Sequence, residues 1–285
     1  MVFKYGKRYE WSDNYWNQIN RNIGPLKFSE QEKIRKTPIG IFGVGGLGGP
    51  LVEQLVRAGC EQLTICDHDK FDSTNLNRQI CINDDIGKNK VDVLEIYMKK
   101  INPEIQIQKF YKVDEKTISK TLKEIKIVAL TLDDFIASII ISRECRKLNI
   151  PMLESWAIPC LWAWWFTSES IDYESCYKLK TQGMTIKQIL EVKKDKSHTN
   201  ELFLPNIFQI PGIQQFYDRE PGFFDQMISG TLGARSFAPI VRLCASFLAL
   251  DLIFAGILKV KKKIIAPRIL AYDYFRFKII DFDMI

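Results

Sequence analysis

A short apolar run, Pro38-Ile39-Gly40-Ile41-Phe42, leads straight into Gly43-Val44-Gly45-Gly46-Leu47-Gly48. Gly43, Gly45 and Gly48 keep the spacing G-x-G-x-x-G, and Gly46 adds a further glycine between them. Between a strand and a helix, such a turn lets backbone approach a phosphate closely. The helix then offers unpaired N–H groups and the positive end of its dipole. Asp69 follows Gly48 by 21 residues, at the end of the next apolar run. A carboxylate placed there accepts hydrogen bonds from a ribose. These residues specify a nucleotide site, or at the least a tight strand-to-helix turn. They leave NAD and ATP both open.

Four further segments separate the two nucleotides. Asp69 opens the polar stretch Asp69-Lys70-Phe71-Asp72-Ser73-Thr74-Asn75-Leu76-Asn77-Arg78-Gln79, and Ile86-Gly87-Lys88-Asn89-Lys90 opens a helix. Thr131-Leu132-Asp133-Asp134 follows a buried strand, and Asn20-Arg21-Asn22-Ile23 lies upstream of the first one. Moving AMP onto a carboxylate brings two anions together, so charge on the triphosphate has to be neutralised. Arginine supplies a planar fork for phosphate and lysine a point charge. A carboxylate such as Asp133 at a strand's C-terminal end holds Mg²⁺ through one or two ligands and waters. Hydride transfer needs none of this set. An NAD-dependent oxidoreductase and a non-catalytic nucleotide-binding scaffold remain the alternatives of other classes.

The elements that must position these residues alternate. Apolar runs at 38–42, 63–66, 105–108 and 125–130 read as strands, and helical spacing recurs over 51–58, 88–100 and from 135 to about 148. This βαβα order implies an α/β fold with a mostly parallel sheet and helices on both faces. Residues 1–36 form an N-terminal helical arm, with helices around 11–20 and 29–35 and Ser29 and Glu32 at capping-box spacing. Residues 37–285 form one domain. In it, strands at 152–153 and 161–167 precede a crossover loop at 180–230. A long apolar helix follows Pro239, and residues 268–273 and 275–282 pair as a C-terminal β extension.

Here the chain resembles the ubiquitin-activating-enzyme-like adenylating family, the group of bacterial molybdopterin- and thiamine-pathway activators. The likeness is specific across Gly43–Lys90 and looser from Asp133 to Pro151. It recurs in Gly233-Ala234 with Pro239 and in Ala271-Tyr272-Asp273. It implies a Rossmann-like sheet, a homodimer, and ATP with Mg²⁺ as cofactors. By position, the glycines Gly43, Gly45, Gly46 and Gly48 cradle ATP and Asp69 resembles the ribose-binding acid. Asn75, Arg78 and Gln79 resemble the phosphate-facing group, and Lys90 the triphosphate lysine. Leu132 and Asp133 lie beside the nucleotide, with Asp133 as the magnesium acid. Arg21 resembles the arginine given into the partner subunit's site. Asp134 stands where the family has Asn, and as a helix cap it has a structural reason to be there.

The departures bear on substrate. Many members hold zinc with two C-x-x-C pairs. Here Cys176 keeps only the first thiol of the first pair, and no Cys follows Ala271, so no zinc is expected. Residues 180–230 hold no Cys for a thioester, and Cys160 and Cys176 read as buried thiols. The chemistry then stops at an acyl adenylate collected by a downstream acceptor protein. Trp156, Trp162, Trp164 and Trp165 crowd the expected acyl site, and Trp156 is the substrate-facing candidate. Most pack as core, but a tryptophan there suits a planar ligand. The pattern is similar to enzymes that activate the carboxy group of guanylylpyridinol for the [Fe]-hydrogenase cofactor of methanogens. The C-terminal glycine of a ubiquitin-like sulfur carrier is the alternative substrate.

Bulk properties agree. The net charge of +6 is spread along the chain rather than clustered, which gives no nucleic-acid footprint. No leader pattern opens the sequence. The apolar stretch 240–258 carries Arg242 and Asp251, which suits a buried helix and no membrane span. The seven cysteines include no C-x-x-C pair, so a reducing cytoplasm is expected.

Overall fold

Strands β1 (Ile39–Phe42) and β4 (Ile127–Leu130) are buried at every residue, as continuously apolar strands must be inside a parallel array. β1 pairs in parallel with β4 on one side and with β2 (Gln62–Cys66) on the other. β3 (Gln106–Phe110) extends the array beyond β2, and β5 (Met152–Glu154) extends it beyond β4. From there the direction alternates: β7 (Cys160–Phe166), β8 (Arg268–Asp273) and β9 (Lys278–Asp283) are antiparallel, and short β6 (Ala157–Ile158) folds back on β7. The computed structural model describes residues 6–158, 160–194, 212–229, 231–233 and 235–285. Among them the sheet runs β3-β2-β1-β4-β5-β7-β8-β9. The expected α/β class holds. The parallel half is the Rossmann half, and the antiparallel half makes the whole sheet mixed.

Each face has its own core. On one side lie α3 (Gly48–Arg57), α4 (Lys90–Ile101) and α11 (Ala238–Asp251), packed with Ile39, Ile41 and Trp165. On the other lie α5 (Ile118–Leu122), α6 (Phe135–Lys147) and α7 (Tyr173–Cys176), packed with Phe42, Leu130 and Trp164. Trp164 and Trp165 are neighbours in sequence, so the two-residue period of β7 sends them to opposite cores. Both are fully buried. The side chain of Trp162 lies outside the described set. Ala238–Ile257 is long and apolar enough to cross a membrane, yet it packs between α3 and β7. Its Asp251 accepts from Trp165 Nε1 at 2.6 Å and pairs with Lys261.

Two expectations are corrected. Helix α2 (Phe28–Lys36) begins two residues earlier than the capping box at Ser29 and Glu32 allowed, with Lys27 as its N-cap. Glu30 accepts from the Lys27 N–H at 2.9 Å, while Glu32 is taken by Arg35, Lys36 and Trp11. The crossover segment also contains short helices: α8 (Ile186–Lys194), α9 (Ile213–Tyr217) and α10 (Phe223–Ile228). Residues 195–211 and 230 of that segment lie outside the described residues. In the N-terminal segment α1 (Asp13–Ile19) is capped by Ser12, and Tyr15 Oη donates to Gly59 O at 2.9 Å.

Gly256 shows how tightly the first core closes. A Cβ there would lie 2.8 Å from Trp165 Cη2. In an open helix Gly→Ala gains up to about 1 kcal/mol. Here the overpacking should win, so Gly256→Ala should lower stability by roughly 1–3 kcal/mol in urea titration. An unchanged or raised midpoint would contradict this packing.

Candidate active site

The order of the parallel strands reverses between β1 and β4, and in open α/β sheets ligands bind at the carboxyl ends of strands at that switch. Gly43 leaves β1 there with φ +94°, bonded through its N–H to Cys66 O at 2.8 Å. A Cβ on Gly43 would lie 2.6 Å from the Thr131 carbonyl, and one on Gly48 would lie 1.8 Å from Gly43 O. These two glycines are therefore required by backbone packing. Gly45 and Gly46 face outward instead, toward Gln79 and the stem of Arg78. Asp67, at the end of β2, fixes the turn: its carboxylate accepts from Val44 N at 2.8 Å and from Asp69 N at 2.9 Å. Removing it would strand two N–H groups at about 1–3 kcal/mol each.

A cavity of about 220 Å³ opens over this turn. Of the residues singled out in the sequence, Gly43, Gly45, Gly46, Asp69, Arg78 and Gln79 line it, as do Lys90, Leu132, Asp133 and Trp156. Lys90 is buried at the start of α4 and its Nζ pairs with Asp69 at 2.7 Å, so each holds the other at the cavity. Arg78 donates to Asn77 Oδ1 at 2.8 Å and Thr74 O at 3.1 Å. Asn77 in turn donates to Ser236 O at 2.9 Å, tying the approach to α11 to the same loop. Gln79 Oε1 is buried with no hydrogen-bond partner among the described residues, an acceptor left open beside the outward-facing Gly45. That orphan, the open glycines and the Lys–Arg pair suit a nucleotide. Asp133 is exposed at the cavity, with no ion pair among the described residues. Asp134 caps α6, accepting from Ile136 N at 2.9 Å.

Two assignments change. Asn75 is buried and does not line the cavity: its Oδ1 accepts from Asp72 N, and its carbonyl accepts from the N–H groups of Arg78 and Gln79. It shapes the loop rather than facing phosphate. Gly48 lies behind the turn, because its place is set by contact with Gly43 O. Arg21 is exposed on the turn Asn20–Asn22 and is absent from the cavity of its own chain. Two further residues wall the cavity that the sequence pattern does not single out. Tyr217 and Arg235 come from segments far along the chain, and Tyr217 Oη donates to Arg235 O at 2.9 Å. Arg235 stands two residues beyond Gly233, a signal that was available; Ala234 lies outside the described residues. Nothing local marks Tyr217. Cys176 is buried, and burial with the Glu154 and Asp172 carboxylates nearby pushes its thiol far up. The side chain of Cys160 lies outside the described set.

Residues 16–284 match the model of the ThiF family. This chain belongs to the ThiF family. It is similar to the probable molybdopterin-synthase adenylyltransferase of Gracilaria tenuistipitata var. liui, with 36% identity over 126 residues, 44% of this chain and 35% of that one. It is also similar to the molybdopterin-synthase adenylyltransferase of Haemophilus influenzae, with 31% identity over 145 residues, 50% of this chain and 60% of that one. The chain thus spans between about a third and three-fifths of these relatives' lengths. The fold is that of E. coli MccB solved with MccA-N7isoASN, with TM-score 0.69 and 19% identity over 99% of this chain and 74% of that one.

One wall of the cavity has a buried acid behind it. Glu154, at the end of β5, is fully enclosed and accepts from Tyr177 Oη at 2.6 Å and Tyr173 Oη at 3.3 Å. Burial pushes its carboxyl up to about 8 from 4.5, against the opposing pull of these hydroxyls. The folded chain holds this proton more tightly than the unfolded one. The resulting stability is full below pH 4.5 and is lost as pH rises to about 8. Glu154→Gln should flatten that slope in thermal melts between about pH 5 and 8.5. Equal slopes in both proteins would assign the dependence to another group.

Proposed function

We propose that this chain is an ATP-dependent adenylyltransferase that activates a carboxylate as an acyl adenylate and releases pyrophosphate. The observation that carries the reading is the convergence of Arg78, Lys90 and Asp133 on the cavity above the glycine turn. A carboxylate oxygen of the substrate bonds to the α-phosphorus. The bond to the bridging oxygen breaks, and pyrophosphate leaves with its electron pair. A carboxylate is already ionised at neutral pH, so no general base is required. The chain's task is to orient two anions and offset their charge. Lys90 and Arg78 face the phosphates, Asp69 takes the ribose, and the outward glycines allow close approach. Asp133 would hold Mg²⁺, which supplies a Lewis acid for the phosphate oxygens.

For the acyl donor the reading is a small-molecule carboxylate seated against Trp156, specifically the carboxy group of guanylylpyridinol, with an acceptor protein downstream. The buried Cys176 supports a product that stays an adenylate. A second reading, the carboxy terminus of a peptide or ubiquitin-like carrier, is favoured by the likeness to MccB solved with MccA-N7isoASN over nearly the whole chain.

The expected activity is ATP–pyrophosphate exchange that requires Mg²⁺ and added carboxylate. Arg78→Ala and Asp133→Ala should each lower exchange about 100-fold or more, in line with lost electrostatic stabilisation. Robust exchange in both would sink these roles. In the same reading the protein is a homodimer and Arg21 serves the partner's cavity. Mixing Arg21→Ala with Asp133→Ala chains should then restore about a quarter of wild-type exchange, because half the dimers are mixed and each holds one complete site. No recovery would place Arg21 outside the chemistry.

A further inference from the structure

Trp156 lines the cavity, and its one polar atom is turned inward. The indole Nε1 donates to Tyr177 Oη at 3.0 Å, and Tyr177 is fully buried in the core beneath the sheet. A tyrosine hydroxyl has one proton. Having accepted from Trp156, it gives that proton to Glu154 Oε2 at 2.6 Å. The three side chains thus form a relay, indole to phenol to carboxyl, and the indole also acts directly on the Glu154 carboxyl. With its N–H tied inward, the indole leaves carbon surface for the cavity side. The ring also stacks on Phe135, with centroids 6.1 Å apart and planes 28° apart. Phe135 is the first residue of α6, directly after Asp133 and the cap Asp134.

We propose that Glu154 is a positioning residue for the acyl half of the cavity: through the Tyr177 hydroxyl it locks the Trp156 indole as a fixed wall, braced against the segment that carries Asp133. The inference rests on the adenylation reading only for the ligand this wall faces. Three observations support it beyond simple core packing. Glu154 could satisfy its burial with any two donors, yet the donor it receives at the shorter distance is the one that holds a cavity residue. Tyr173 closes the other carboxyl oxygen, so Glu154 has little freedom to release Tyr177. The carboxyl's proton affinity is raised by burial, and a neutral carboxyl still accepts from Tyr177. The titratable groups packed round it are Tyr173 and Cys176 of α7 and Tyr177 at its C-terminal cap, with Asp172 and Asp283 acting on the Cys176 thiol.

The test uses the full chain labelled with ¹⁵N-tryptophan, the Trp156 indole resonance being assigned by its loss in Trp156→Phe. Tyr177→Phe keeps the ring volume and should shift that resonance, as should Glu154→Leu. Glu154→Gln should leave it in place. In the wild type it should titrate with a midpoint near the carboxyl's value of about 8, and in Glu154→Gln it should not. Binding is read with two kinds of probe: AMPCPP for the nucleotide half, and glycyl- and nicotinoyl-sulfamoyladenosine for nucleotide plus acyl group. Tyr177→Phe and Glu154→Leu should weaken the sulfamoyladenosines roughly ten-fold while leaving AMPCPP within about two-fold, with Glu154→Gln restoring the tight binding. Equal losses for both kinds of probe, or an indole resonance indifferent to all three variants, would overturn the proposal. A wild-type chain that binds neither kind would overturn the adenylation reading instead, and the indole resonance would still decide the relay.

Discussion

Everything at the site depends on how closely β1 and β4 end together. Thr131 donates its hydroxyl to Gly43 O at 2.6 Å, and its N–H bonds Phe42 O at 2.8 Å. Nothing larger than hydrogen fits between Gly43 and the Thr131 carbonyl. Because the backbones meet there, α3 can start directly under the turn and Leu132–Asp133 can emerge directly beside it. Asp67 completes the clamp from β2 with two N–H bonds. The clamp joins residues far apart in sequence, so the cavity's floor is only as rigid as the parallel sheet beneath it.

Above that floor, the two cations are held in two different ways. Lys90 is almost wholly buried, a placement that would be costly for an unpaired ammonium. Its partner Asp69 keeps half its side chain in solvent. A triphosphate brought to Lys90 would replace one carboxylate with a denser anion, so the ammonium stays compensated throughout. Arg78 is held differently, by neutral acceptors on its own loop, which fixes the guanidinium without cancelling its charge.

Much of this was legible in the sequence, and the limits have physical causes. Gly43, Lys90 and Asp133 were readable because strand ends and helix starts leave local marks. Asn75 was misplaced because a polar residue beside Arg78 has the right type for phosphate, while its use as a loop brace is a matter of backbone geometry. Gly48 satisfied the spacing rule for a steric reason, contact with Gly43 O, that the pattern alone cannot separate from ligand contact. Tyr217 and Arg235 reach the cavity only through long-range packing of the crossover segment. Trp164 and Trp165 both pack as core because a two-residue period can serve two faces at once. Their neighbour Trp156, outside the strand, was free to face the cavity.

The back-to-back pair on β7 also constrains how this protein can vary. Trp164 and Trp165 seal separate cores, and the Trp165 indole donates to Asp251 on its own side. A slip of one residue in β7 would exchange the two indoles, carrying the N–H of one away from Asp251 and the bulk of the other against Gly256. Insertions and deletions between β5 and β7 are therefore tolerable only if they preserve parity or are absorbed before the strand begins. The sheet's conversion from parallel to antiparallel is in this sense a digital joint, fixed in whole steps of two residues.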